Sequence, residues 1–270
     1  MTAISVCIPV VSGGRLGQVL ESLRRSTFQD FEVVVANSST RPQTHDKIVE
    51  FGAKEVVVPY EHGLLGRRRE AHALARGDKE FLLEETRSVD PSLFRILSES
   101  SADLISVGEK EDGSGLLSRL AELDKRTGNE GTRTAPDPAT NSYVFPRLFP
   151  RAVLNRAFET AFQNIGAEKF SQVIYGDHQI LSYEARKLTR TMEMIRTQLL
   201  THYGDASLSE LVRKYHAYGK SARVLKDTTY ETLLRVANHN RPFLSMKSYA
   251  GSLTMLLIRG VPYAVGYALG

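Results

Sequence analysis

Between Ile4 and Gly108, short apolar runs rich in β-branched residues alternate with stretches of helical period. No other feature limits the possible folds of this chain so strongly. ISVCIPVV reads as a buried strand, and Leu16, Leu20 and Leu23 then recur at helical spacing. FEVVVAN is a second strand, followed by a periodic stretch around Ile48–Phe51, and KEVVVPY is a third. A helix over Leu64–Arg76 precedes a fourth strand, EFLLE, and ADLISVG is a fifth. Strands that are apolar at successive positions have both faces covered, and intervening helices supply the crossovers. The expectation is an α/β fold, Rossmann-like, with a mainly parallel sheet flanked by helices. From Glu109 to Asn141 the pattern fails, and we read a long functional loop. YVFPRLFP resumes order, and Arg151–Phe162 is helical.

At 270 residues the chain is long enough for one large domain and an appendage. A net charge of +4 does not by itself point to nucleic acid, and no nucleic-acid partner is expected. The single cysteine, Cys7, lies inside the first strand and reads as a buried residue rather than a nucleophile. No secretory leader is visible ahead of that strand. Between Arg186 and Lys226 there are nine Lys/Arg against three Asp/Glu. Within it, Leu208, Leu211, Val212 and Tyr215 form one helical stripe, with Arg213, Lys214 and Lys220 mostly elsewhere. From Tyr249 to Gly270 the one charge is Arg259. A span needs about 20 apolar residues. Arg259, Pro262 and several glycines interrupt this one, so amphipathic, membrane-facing helices are expected rather than a transmembrane helix.

Open α/β sheets bind ligands beyond the carboxyl ends of their strands. Gly13 and Gly14 follow the first strand, but SGGRLG lacks the dinucleotide fingerprint and by itself reads as a turn. Glu84 and Glu85 close the fourth strand, either as surface acids or as ligands. Asp177 opens a helical stretch, either as a cap or as a functional carboxylate. His178 has no paired His or Cys at metal-ligand spacing and reads as structural or as an acceptor contact.

The stretch IPVVSGGRLGQVLESLRRSTFQDFEVVVANSST resembles the opening of family-two glycosyltransferases, in its strand ending in Ile-Pro, its Leu-spaced helix and its Phe-Glu strand. Ala36-Asn37-Ser38-Ser39 stands where the family has an acidic pair. GLLGRRREAHALARGDKEFLLEETRSVDPSLF is similar to the family's Ala-Arg-Asn helix and the strand carrying Asp-x-Asp. YGDHQILSYEARKL matches the acceptor-side helix, and LVRKYHAYGKSA resembles the basic stretch of membrane-associated members that act on lipid-linked acceptors.

The resemblance implies a GT-A catalytic domain over residues 1–200 and basic, amphipathic interfacial helices over 201–270. It implies inverting hexosyl transfer from a nucleotide-diphosphate sugar to a lipid-linked or saccharide acceptor, at the cytoplasmic face of the cell membrane. The donor is expected near Pro9, Val11, Asn37, Arg69, Glu84 and Glu85, with Arg67 and Arg68 as surface or phosphate-facing neighbours of Arg69. A divalent cation, Mg²⁺ or Mn²⁺, is expected at Glu84 and Thr86. It should be weakly held, because Thr86 offers only a neutral hydroxyl. Asp177 is the implied general base. Arg213, Lys214 and His178 are expected to face the diphosphate or the acceptor. The alternative is a GT-A-like nucleotide-sugar binding protein whose catalysis is impaired by the missing Asp-x-Asp carboxylates.

Overall fold

The computed structural model describes residues 3–113, 115–130, 145–189, 191–204, 207–235 and 246–270. Its strands and helices begin β1 (Ile4–Val10), α1 (Leu16–Arg24), β2 (Phe31–Asn37), α2 (Pro42–Phe51), β3 (Lys54–Val57), α3 (Leu64–Leu74) and β4 (Lys79–Leu82). They continue β5 (Arg87–Val89), α4 (Leu93–Glu99), β6 (Leu104–Asp112), α5 (Leu116–Glu130), β7 (Pro146–Pro150), α6 (Arg151–Ile165) and α7 (Ala167–Gln172). The chain ends with α8 (Asp177–Leu188), β8 (Met192–Tyr203), α9 (Leu208–Val224), α10 (Glu231–Arg235) and α11 (Met246–Leu269).

The eight strands of the described residues join one sheet, in the order β3-β2-β1-β4-β7-β6-β8-β5. Parallel pairing links β3 to β2, β2 to β1, β1 to β4 and β6 to β8. Antiparallel pairing links β4 to β7, β7 to β6, and β8 to β5. The mainly parallel sheet flanked by helices is therefore as expected. Every residue of β1 is buried, which is what a strand covered on both faces requires. Ile4, Val6 and Ile8 pack with Leu16, Leu20 and Leu23 of α1 on one side. Cys7 and Leu82 pack with Leu65, Ala71, Phe158 and Ile180 on the other. Cys7 is a core residue, and burial raises its thiol well above the usual range.

The expected loop from Glu109 to Asn141 is corrected in its first part. Glu109–Asp112 continue β6, and Leu116–Glu130 form α5. Residues 131–141 of that stretch lie outside the described residues. Charges and glycines averaged over the whole window hid a helical stripe, in which Leu117, Leu120 and Ala121 pack with Leu211 and Met255. Strands β5 and β8 were also unread. The first has three residues. The second lies next to the sheet edge and leaves most of its side chains at least partly exposed, so it lacks a continuous apolar run.

The Ser207 hydroxyl accepts the Glu210 N–H and caps α9, as a Ser-x-x-Glu start should. Alongside it runs α11, and the two backbones nearly touch. A Cβ on Gly219 would lie 2.0 Å from the Tyr263 carbonyl, and one on Gly266 would lie 2.0 Å from the His216 carbonyl. Small residues at such crossings let helices approach closely. The opposite face of α11 exposes Leu253, Leu256, Leu257, Val261, Val265 and Leu269. By length and composition Tyr249–Leu269 is long and apolar enough to cross a membrane, with Pro262 inside the helix.

Candidate active site

A cavity of about 890 Å³ opens at the carboxyl ends of β1 and β4. That volume suits a small-molecule ligand. Pro9, Val11 and Ser12 from the end of β1 line it, with Glu84, Glu85 and Thr86 beyond β4. Asp177 and His178 enter from the start of α8, and Lys214 from α9. Asn37, Arg69 and Arg213 are absent from the lining.

Glu85 holds the loop that follows β1. Its carboxylate accepts the backbone N–H groups of Val11, Ser12 and Gly13 at 2.9, 2.9 and 2.7 Å. Gly13 has φ of 69°, and a Cβ there would meet Thr44 Oγ1 at 2.1 Å, so the turn requires glycine. Asn37 is buried and spent locally: its amide donates to Glu55 at 2.7 Å and its carbonyl accepts the Ser39 N–H at 2.9 Å.

The three consecutive arginines of α3 point in three directions, because each step along a helix turns by about 100°. Arg67 lines the cavity and donates to Ser38 Oγ and the Tyr60 carbonyl, both at 2.7 Å. Arg69, expected at the donor diphosphate, instead stacks over Phe162 with 4.1 Å to the ring centre, toward α6 and α7. Arg68, expected as a surface or phosphate-facing neighbour, is fully buried. Its Nε donates to Asp177 at 2.5 Å and its Nη2 to Glu84 at 2.9 Å, while Nη1 has no partner among the described residues. Arg68 therefore ties the end of β4 to the start of α8.

Burial opposes ionisation of Asp177, yet the Arg68 guanidinium holds its carboxyl below the usual range. Asp177 is thus an ion-pair partner, and no side chain of the described residues caps the N-terminus of α8. Burial, together with Arg68, lowers His178, so its ring is neutral at pH 7. Its Nε2 lies 2.6 Å from Glu84 and 2.8 Å from Arg68 Nη2. In one tautomer Nε2 donates to Glu84 and in the other it accepts from Arg68. Its Nδ1 is buried with no partner among the described residues.

Among the polar residues of the cavity that were not singled out from sequence are Arg87, Glu109, Lys125, Arg147 and His202. Arg147 and Arg87 each reach Glu84 Oε2 at 2.8 Å. Glu109 receives Arg87 at 2.5 Å, Arg147 at 3.1 Å, and Lys125. Burial alone would raise Glu84 and Glu109, but these cations hold both carboxyls well below the usual range. His202 is pushed down to about 4 by burial, with Lys125 and Arg87 adding to the effect. Facing this charged floor is an aromatic wall, in which Tyr175 stacks on Tyr218 at 4.8 Å and Tyr215 meets Tyr218 edge-on at 5.3 Å. Arg213 lies on the exposed side of α9.

A divalent cation would need free carboxylate oxygens here. Both oxygens of Glu84 are taken, Oε1 by Arg68 and His178 and Oε2 by Arg87 and Arg147. Thr86 adds one neutral hydroxyl. No group of three or more His, Cys, Asp or Glu side chains is set to hold a metal among the described residues. The side chains expected to hold a cation, Glu84 and Thr86, do not fit one.

No protein-family model matches this sequence, and no curated protein matches it. Solved structures do. S. aureus TarS in complex with UDP-GlcNAc is 15% identical, with a TM-score of 0.58 over 94% of this chain and 79% of that one. Mannosyltransferase PcManGT from Pyrobaculum calidifontis, in complex with GDP-Man and Mn²⁺, is 11% identical, with a TM-score of 0.57 over 99% and 75%. Glucosyl-3-phosphoglycerate synthase from Mycobacterium tuberculosis, in complex with Mn²⁺, UDP and phosphoglyceric acid, is 16% identical, with a TM-score of 0.53 over 86% and 78%. These neighbours are GT-A glycosyltransferases, and the curled sheet, its flanking helices and the strand-end cavity described above are laid out on the GT-A fold.

Proposed function

We propose that this protein is an inverting glycosyltransferase of the family-two type. It moves a hexosyl group from a nucleoside diphosphate sugar to a lipid-linked or saccharide acceptor at the cytoplasmic face of a membrane. One observation carries the reading: Arg68 joins Glu84 and Asp177 at the strand ends of a GT-A fold, beside a cavity of about 890 Å³. The structural neighbours are proteins with nucleotide sugars or nucleotides bound, which supports a donor of that class.

In this reading the nucleoside end of the donor lies by Pro9 and Val11, and the diphosphate lies over the basic floor. An acceptor oxygen attacks the anomeric carbon from the face opposite the diphosphate. The new C–O bond forms as the bond to the diphosphate oxygen breaks, and the nucleoside diphosphate leaves with that electron pair. A hydroxyl acceptor passes its proton to Asp177, which Arg68 keeps ionised and aimed. A phosphate acceptor has a second pKa of about 6 and needs no such base. Lys214 and His178, both lining the cavity, are suited to the acceptor or the diphosphate.

The apolar outer face of α11 and the basic Arg213 on α9 support seating on an anionic membrane, with residues 201–270 as the interfacial part. Co-sedimentation of the full chain with anionic liposomes, reduced but not abolished by salt, is the expected result.

A panel of nucleotide-diphosphate sugars tests the core of the reading, with binding measured first and label transfer to saccharide and lipid acceptors second. Binding of one donor followed by transfer supports it. Binding with no transfer to any acceptor favours the impaired binding protein, and the full engagement of Glu84 by cations is the observation behind that second reading. Failure of every donor to bind overturns both.

A further inference from the structure

We propose that Arg87 and Arg147, clamped between Glu84 and Glu109, take the place of a dication beneath the donor diphosphate, so that this protein binds its nucleotide without a divalent metal. The proposal rests on the donor reading above. It starts from a geometric fact. Both guanidinium groups bridge the same two carboxylate oxygens. Arg87 Nη1 and Arg147 Nη1 each lie 2.8 Å from Glu84 Oε2. Arg87 Nε and Arg147 Nη2 lie 2.5 and 3.1 Å from Glu109 Oε2. Two unit charges of each sign meet in one place. A dication held by two carboxylates has that same charge balance.

The clamp is built into the sheet. Glu84 follows β4, Arg87 opens β5, Glu109 lies in β6 and Arg147 in β7. The other oxygen of Glu109 accepts Lys125, and that of Glu84 accepts Arg68 and His178. A metal ion entering here would have to displace fixed cations from buried carboxylates, which leaves those cations unpaired in a poorly solvated place. A diphosphate faces the opposite situation. Both arginines line the cavity. A guanidinium carries five N–H donors. Arg87 directs Nη1, Nε and, at 3.5 Å, Nη2 to carboxylates. Arg147 directs Nη1 to Glu84 and the Leu82 carbonyl, and Nη2 to Glu109. Two N–H groups on each remain without a partner among the described residues. Planar donors of this kind recognise phosphate oxygens in pairs. Because the carboxylates already hold the guanidinium groups in position, diphosphate binding costs little side-chain ordering.

Calorimetry on the full chain tests this with inorganic pyrophosphate and a panel of nucleoside diphosphates, each in excess EDTA and in excess MnCl2. Equal affinity in the two conditions is expected. The Mn²⁺ paramagnetic resonance signal, titrated with the nucleotide-free protein, should stay that of the free ion. Arg147→Ala and Arg87→Ala should each weaken pyrophosphate binding about tenfold or more, as loss of a charged hydrogen bond does. Should either variant fail to fold, the wild-type comparison of EDTA with Mn²⁺ still decides. Nucleotide binding that requires Mn²⁺ overturns the proposal and leaves the donor reading intact. Pyrophosphate bound without metal, but no nucleoside diphosphate, supports the arginine clamp and removes the donor reading. No binding of any phosphate compound under either condition overturns both.

Discussion

The floor and the wall of the cavity are held by different forces. The floor is a chain of ion pairs, Asp177–Arg68–Glu84–Arg147–Glu109–Lys125, with members drawn from helices and strand ends and nearly all buried. The wall is apolar and aromatic, built where α9 and α11 meet across glycines, and among the described residues its outer surface is exposed. Buried charges tolerate the loss of a partner poorly, whereas apolar contacts at a surface tolerate change well. The floor is thus the more rigid of the two regions, and the wall is the part freer to adapt.

The largest effect should come from the floor. Asp177→Asn should lower transfer to a hydroxyl acceptor by about 10²–10⁴-fold while leaving donor affinity nearly unchanged. Steady-state kinetics together with calorimetry read this out, and near-normal turnover would reduce Asp177 to an ion-pair partner of Arg68. Arg68→Met leaves Glu84 and Asp177 short of a buried partner and should cost about 3–5 kcal/mol of stability. Urea unfolding measures it, and a loss below about 1 kcal/mol would show that solvent reaches the floor more freely than its burial indicates.

The wall should respond locally. Gly266→Val drives a side chain into the His216 carbonyl and should cost about 1–3 kcal/mol. Hydrogen exchange should quicken along α9 and α11 and stay unchanged in β1 and β2. Uniform loss of protection would mean that the helix pair and the sheet unfold together. On the outer face, Leu257→Ser should change stability by no more than about 0.5 kcal/mol. The same substitution should reduce liposome binding, since it removes apolar surface from the exposed side.

Protonation gives a gentler probe of the floor. His202 titrates at about 4 in the fold and near its ordinary 6.5 when unfolded. A depressed histidine is neutral in the fold, so the unfolded chain takes up the proton first. Its stability contribution is complete above pH 6.5 and is lost as pH falls toward 4. His202→Gln should flatten that part of the stability–pH curve. Glu111, held down to about 2, acts in a lower window, between its unfolded 4.5 and 2.

The two regions were unequally legible in the sequence. Strands β1, β2, β4 and β6 follow from apolar runs, because a strand buried on both faces leaves little choice of residue; β3, at the sheet edge with none of its residues buried, was read from its valines alone. Glu84 and Asp177, which line the cavity, were singled out because each stands at an element boundary in a matching stretch. Arg87, Glu109 and Arg147 were missed because charged residues at strand ends look like surface until the sheet order brings β4, β7 and β6 together. Arg68 was not separable from Arg69 by spacing. Leu65, Arg68 and His72 lie at i, i+3 and i+7 of α3, and all three are buried. Arg69, favoured by motif alignment, stands at i+4, which the same stripe admits, yet it is exposed. For the wall, the apolar character of α11 is plain in the sequence, but its pairing with α9 depends on two glycines forty-seven residues apart.

The most direct test of the account is a crystal of the full chain grown with a nucleoside diphosphate that calorimetry shows to bind. The account predicts the nucleoside beside Pro9 and Val11, and both phosphates within hydrogen-bonding distance of Arg87 or Arg147, in crystals grown without metal. Density for the nucleotide anywhere else, or phosphates reached only through a bound cation, would contradict it.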